Sequence, residues 1–115
     1  MAAQVTIIDD NSGLLASLAL LFQTHGYSTK TYSCPQEAID DIPEKPSDIY
    51  IIDIKMPKIS GICCYESLCK KFNVDTIPAL FLTCVDKHML AFSQVSLFLQ
   101  LLLISVHIPF SHFCF

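Results

Sequence analysis

The stretch IYIIDIKMPKISG, residues 49–61, places four consecutive apolar residues, Ile49 to Ile52, directly before a carboxylate, Asp53, and meets a proline, Pro57, a few positions later. A short apolar run that stops at a charge and a turn signal reads as a strand buried on both faces, with its end in solvent. Two other runs repeat the pattern. Val5 to Ile8 stops at Asp9 and Asp10, and Ala79 to Leu82, after Pro78, stops at Thr83.

Between these runs the period changes from continuous to helical. Leu14, Leu15, Leu18, Leu21, Phe22 and His25 recur at spacings of three and four, with Ser12 placed as N-cap and Gly26 where a C′ glycine belongs. Residues 27–32 alternate and are rich in Thr and Tyr, a short polar strand suited to a sheet edge. Ser33 with Pro35 and Gln36 resembles a capping box opening a second helix to about Ile42, and PEKPS at 43–47 breaks the chain. Gly61 to Phe72 is helix-compatible, with Ile62, Tyr65, Leu68, Cys69 and Phe72 on one face and Lys70 and Lys71 near its end. The order βαβαβαβ with short connections predicts one α/β domain: a parallel sheet with helices on both faces, wound right-handed.

Composition bounds the function. The 115 residues are 52% hydrophobic with a formal charge of −4, and all seven basic residues are lysines, so no basic stripe exists and nucleic acid binding by this chain alone is not expected. The six cysteines form no CxxC pair, and the N-terminus has no basic region followed by an apolar one. They read as reduced thiols in a cytoplasmic protein. Cys63, Cys64 and Cys69 lie along one helix without a histidine nearby, which suits small buried hydrophobes better than zinc.

In an open parallel sheet, ligands sit just outside the carboxyl ends of the strands. Asp9, Asp10, Asp53 and Thr83 should therefore converge. Each alone reads as a solvated loop residue or a cap; the joint occurrence carries the argument. Three carboxylates held together repel one another unless a cation sits among them, and a hard divalent ion with oxygen ligands describes Mg²⁺ better than zinc or calcium. A carboxylate beside Mg²⁺ is placed to attack a phosphoryl group, and the Thr83 hydroxyl could donate a hydrogen bond to it.

VTIIDDN at 5–11, IYIIDIKMPKISG at 49–61 and PALFLT at 78–83 resemble the receiver domain of two-component response regulators, particularly the type that precedes a helix-turn-helix output domain. The resemblance covers roughly residues 3–94 and implies a flavodoxin-like three-layer sandwich with a parallel sheet of four to five strands. It implies that Asp53 is the phospho-acceptor, that Asp9, Asp10, Asp53 and the backbone carbonyl of Lys55 hold Mg²⁺, and that Thr83 is the switch hydroxyl. A sensor histidine kinase is the implied phosphodonor.

The end of the chain departs from the family. All 18 charged side chains lie between Asp9 and Lys87, and residues 89–115 carry none. The family's lysine after the fifth strand would fall near Ser105, and no lysine follows Lys87, which itself reads as the start of an exposed helix. The aromatic partner of the switch Thr falls near Leu102 or, in a shifted register, at Phe98. Residues 95–115 thus stand as an atypical apolar segment with the fifth helix missing or replaced. A frame-shifted end, a membrane tail and a genuine fifth strand around Phe98 to Val106 all remain open; the uncharged run exceeds the roughly 20 residues a bilayer span needs, but Gln94, Gln100, His107 and Pro109 interrupt it. An uncovered sheet face favours self-association through this apolar end. Two rival functions are an inactive receiver fragment acting as an interaction module and a metal-dependent phosphohydrolase. The haloacid-dehalogenase type of the latter wants a second acid two residues after the nucleophile, where this chain has Lys55.

Overall fold

The computed structural model describes residues 3–41, 43 and 45–82. Four strands, β1 (Gln4–Ile8), β2 (Ser28–Tyr32), β3 (Ile49–Asp53) and β4 (Ala79–Leu82), alternate with three helices, α1 (Ser12–Thr24), α2 (Pro35–Asp40) and α3 (Gly61–Phe72). The strands form one parallel sheet in the order β2-β1-β3-β4, with Ile8 opposite Tyr32 and Ile52, and Asp53 opposite Leu82. The polar strand β2 lies at the edge, as its alternation indicates. This is the doubly wound, flavodoxin-like order, whose direction of winding reverses between β1 and β3.

The buried runs are fully buried because both sheet faces are covered. Ile8, Tyr50 and Ile52 pack with Ala38 and Ile39 of α2, Cys64, Leu68 and Cys69 of α3, and Met56 and Ile77 of the loops. Val5, Ile7 and Ile51 alternate to the opposite face, where α1 packs on β1 and β2 and buries Leu15, Leu18 and Phe22. Each such side chain contributes on the order of 1.5–3 kcal/mol by leaving water.

Local chemistry sets the helix ends. The side chain of Asn11, not Ser12, caps α1: its Oδ1 accepts the N–H of Leu14 at 3.1 Å. At the other end Gly26 takes φ 89° and donates to the carbonyl of Gln23, while the Tyr27 N–H reaches back to Phe22. The Phe22 and Tyr27 rings meet edge-to-face at 5.7 Å and complete this Schellman closure. Helix α2 is shorter than its pattern suggests. Its N-cap is Cys34 with no side-chain bond, so the expected Ser33 capping box does not form, and the helix stops at Asp40. Helix α3 has the expected bounds, with Ser60 Oγ accepting the Cys63 N–H and Asn73 closing the end in the left-handed region. Its buried face is Cys64, Leu68 and Cys69, whereas Ile62, expected inside, is 44% exposed.

Candidate functional site

The carboxyl ends of β1 and β3 adjoin in the sheet, and each delivers acid at that edge. The ladder continues one residue past Ile8, with the Asp9 N–H donating to the Tyr32 carbonyl at 3.1 Å, and past Asp53, with the Ile54 N–H donating to Leu82 at 3.1 Å. Carboxylate oxygens of Asp9, Asp10 and Asp53 consequently lie within 4.8 Å of one another. Asp9 is 0% and Asp53 1% exposed, whereas Asp10 faces solvent. Two acids form the floor and the third stands at the mouth.

Backbone amides orient both floor carboxylates. The Asn11 N–H donates to Asp9 Oδ1 at 2.9 Å, and the Lys55 N–H donates to Asp53 Oδ1 at 3.3 Å. Asn11 therefore acts twice, capping α1 with its side chain and holding Asp9 with its amide. The loop after Asp53 is anchored by Met56, which is buried, and turns at Lys58, whose φ is 69°. The Ile59 N–H donates to the Pro57 carbonyl at 2.8 Å, the pattern of a γ-turn. The chain then enters α3 at Gly61, whose N–H donates to the Ile54 carbonyl at 2.9 Å. A Cβ on Gly61 would collide with the Asp53 carbonyl oxygen and stand 2.9 Å from the Asp53 carbonyl carbon. Only glycine lets the helix start against the back of the acidic residue.

The donor set decides what the site can hold. Among the described residues these three form the group of potential metal ligands, and every donor is a carboxylate oxygen. Two unit charges about 4 Å apart repel by about 1 kcal/mol in water and about 4 kcal/mol at an effective dielectric of 20. A divalent cation relieves that repulsion, and an all-oxygen set without thiolate or imidazole fits a hard ion of the Mg²⁺ type. Lys55 lies two residues from Asp53, with its side chain exposed. Thr83 lies outside the described residues, as do Lys87, Phe98, Leu102, Ser105 and the apolar segment; β4 ends directly before Thr83, at Leu82.

This geometry agrees with the sequence comparison. Residues 5–97 match the family described as the response regulator receiver domain. The chain belongs to that family. Receivers are signalling domains rather than enzymes in the ordinary sense. The chain is 27% identical over 88 residues to the response regulator MprA of Mycolicibacterium vanbaalenii, covering 75% of this chain and 36% of that protein. It thus spans about a third of the length of the curated relatives it matches. The non-phosphorylated HemR receiver domain from Leptospira biflexa superposes with a TM-score of 0.71 at 19% identity, covering 93% of this chain and 96% of that one, and shows the shared fold. The response regulator TrrA from Thermotoga maritima, solved in complex with Mg²⁺ and BeF, aligns with a TM-score of 0.56 at 28% identity, covering 69% of this chain and 65% of that one.

The convergence of Asp9, Asp10 and Asp53 was readable from the strand ends. The roles of Asn11 and Gly61 were not read, although a glycine at the first position of a helix is a signal for close backbone approach. Among the described residues no helix is long and apolar enough to cross a membrane. Their four cysteines are free thiols: Cys64 and Cys69 are buried as expected, Cys34 is half-buried and Cys63 is exposed.

Proposed function

We propose that this receiver accepts a phosphoryl group on Asp53, with Mg²⁺ held by Asp9, Asp10, Asp53 and the backbone carbonyl of Lys55. The observation that carries the reading is the acidic triad, with its buried acceptor held by the Lys55 amide at the carboxyl edge of the sheet. A carboxylate oxygen of Asp53 forms a bond to phosphorus while the bond from phosphorus to the donor's leaving group breaks, and that group departs with the electron pair. The Lys55 N–H fixes the Asp53 carboxylate for this approach, and Asp10 faces the solvent from which the donor arrives. Bound Mg²⁺ supplies neutralisation of the charge on the transferring oxygens. The Thr83 hydroxyl donates a hydrogen bond to an oxygen of the phosphoryl group once transferred.

In this reading residues 3–94 are the receiver, a sensor histidine kinase is the physiological donor, the protein works in the cytoplasm, and residues 95–115 are a separate apolar segment through which copies self-associate. Phosphotransfer is retained, and switching is weakened because Ser105 stands about where the family's lysine would fall. The phosphohydrolase alternative gains nothing from the site: its second acid would stand where Lys55 does. Incubation with acetyl phosphate and Mg²⁺, followed by intact-mass measurement, tests the reading. One phosphate should be added to the wild type, none to Asp53→Ala, and none after chelation of Mg²⁺. Equal labelling of Asp53→Ala, or no labelling of the wild type, refutes it.

A further inference from the structure

Only Asp9, Asp10 and Asn11 join the end of β1 to the start of α1, and two of them are acids of the triad. Whatever fixes this short backbone decides where those two carboxylates stand. At the strand end the Asp9 N–H donates to the Tyr32 carbonyl at 3.1 Å. At the helix end Asn11 is engaged through three groups. Its N–H donates to Asp9 Oδ1 at 2.9 Å, its Oδ1 accepts the Leu14 N–H at 3.1 Å, and its carbonyl accepts the Leu15 N–H at 2.9 Å. The exposed acid, Asp10, is strung between the two anchors.

These bonds hold one residue from two sides. The Leu14 and Leu15 amides belong to a helix seated on the sheet through Leu15, Leu18 and Phe22. Rotating the Asn11 amide away from Asp9 changes φ at Asn11, −85° here, and displaces its Oδ1 from the Leu14 amide. Helix cap and carboxylate contact are thus linked through a single side chain. Resting on the reading of the triad as Mg²⁺ ligands, we propose that Asn11 is a positioning residue of that site: by capping α1, its side chain holds its own amide on the Asp9 carboxylate, so that metal binding and the first turn of α1 stabilise each other. Linkage makes the effect reciprocal. A cap oxygen is worth roughly fivefold in the helix equilibrium, and that bounds how far the cap can shift the affinity for Mg²⁺.

The test is calorimetric titration of the full chain, freed of metal by a chelator, with MgCl₂, alongside urea melts of the same variants. Asn11→Ala should weaken Mg²⁺ binding roughly two- to fivefold, and Asn11→Ser, whose hydroxyl also caps, should restore it. Asn11→Gly separates positioning from stability. Glycine is tolerated as an N-cap at little cost to the helix, yet it leaves the peptide free to turn. It should therefore be more stable than Asn11→Ala while binding Mg²⁺ no more tightly. Gly26→Ala strains the far end of α1, where φ is 89°, and should lower stability with Mg²⁺ affinity unchanged. In the wild type, Mg²⁺ should slow hydrogen exchange at the Leu14 and Leu15 amides more than at Tyr27, whose N–H closes the other end of the helix. The inference is overturned if Asn11→Ala binds Mg²⁺ like the wild type, if Asn11→Ser fails to rescue, or if affinity simply follows stability across Asn11→Gly and Gly26→Ala. A wild type that takes up no Mg²⁺ is a different result: it removes the metal reading, and this inference with it.

Discussion

Replacing Gly61 by alanine tests the contact on which the geometry of Asp53 depends. The added Cβ would stand 2.9 Å from both the Asp53 carbonyl carbon and Ile54 Cα, with the Asp53 carbonyl oxygen closer still. Neither side can yield cheaply. The neighbours are backbone at the end of a central strand, fixed by the Ile54 bond to Leu82, and the start of α3 is fixed by the Gly61 bond to Ile54 and by the Ser60 cap. Overpacking costs about 1–3 kcal/mol and a lost hydrogen bond about 1 kcal/mol, against at most about 1 kcal/mol returned by the better helix former. The balance is a loss of about 1–3 kcal/mol. At about 4–8 °C of melting temperature per kcal/mol, that is readily measured. Because the displaced backbone carries Asp53, the proposed acceptor, labelling by acetyl phosphate should slow by about tenfold or more. Gly13→Ala is the control: its Cβ would meet Asn11 Oδ1 at 3.5 Å, an ordinary contact, and it should be neutral or slightly stabilising. Urea melts followed by far-ultraviolet circular dichroism give the stabilities. A Gly61→Ala variant as stable as the wild type, with an unchanged labelling rate, would refute the reasoning.

Four further outcomes follow from the same contacts. Asn11→Ala removes the α1 cap and should cost about 1 kcal/mol in urea denaturation, whereas Asn11→Ser, which keeps a capping oxygen, should recover most of it. Burial pushes the Cys64 thiol up from 9.0 to about 11. A raised acid stabilises below its unfolded value and loses that contribution as pH rises through its folded one, so stability should fall between pH 9 and 11, and Cys64→Ala should flatten that alkaline limb. The Tyr32 O–H, which donates to Asp41 Oδ2 at 2.7 Å, and then Lys30 hold the Asp41 carboxyl below its usual value of 3.8. This contribution is present above 3.8 and is lost as pH falls through the lowered value; Tyr32→Phe should make acid unfolding shallower, read from melting temperatures below pH 4. Asp10→Asn removes one charge of the triad while sparing the buried floor, and on the proposed reading it should weaken Mg²⁺ binding by about tenfold or more in calorimetric titration.

Much of this was legible in the sequence because it depends on strong, local signals. The apolar runs give β1, β3 and β4 within a residue, since a strand covered on both faces admits no alternation, and Gly26 marks the end of α1 because only a residue tolerant of positive φ closes it that way. The acids followed from strand direction alone. What escaped depends on contacts between segments distant in sequence, or on geometry that residue type does not announce. Asn11 and Ser12 are both good caps, and the choice falls to Asn11, whose amide also meets Asp9. Ile62 looks like a core residue by type, but the close seat of Gly61 on Asp53 fixes the rotation of α3 and turns Cys64 inward instead. Nothing in the letters of Pro57, Lys58 and Ile59 signals a left-handed lysine, because that conformation favours Gly or Asn.

The turn at Lys58 shows how the geometry around Asp53 is maintained. A non-glycine residue in this conformation costs about 1–3 kcal/mol and persists only where its surroundings over-determine it. Here they do: Met56 is buried before the turn, Ile59 packs on the α2–α3 core after it, Ser60 caps the helix, and Gly61 presses that helix against Asp53. Cys64 and Leu68 of α3 share one core with Ile52, Met56 and Ile59, so packing on this face is what keeps the loop strained and the carboxylate aimed. Loss of packing on this face therefore acts on the site before the whole domain unfolds, since the strained turn relaxes as soon as its restraints weaken. By contrast, equal losses on the α1 face, around Leu18 and Phe22, lower stability without releasing the loop, because none of its restraints comes from that side of the sheet.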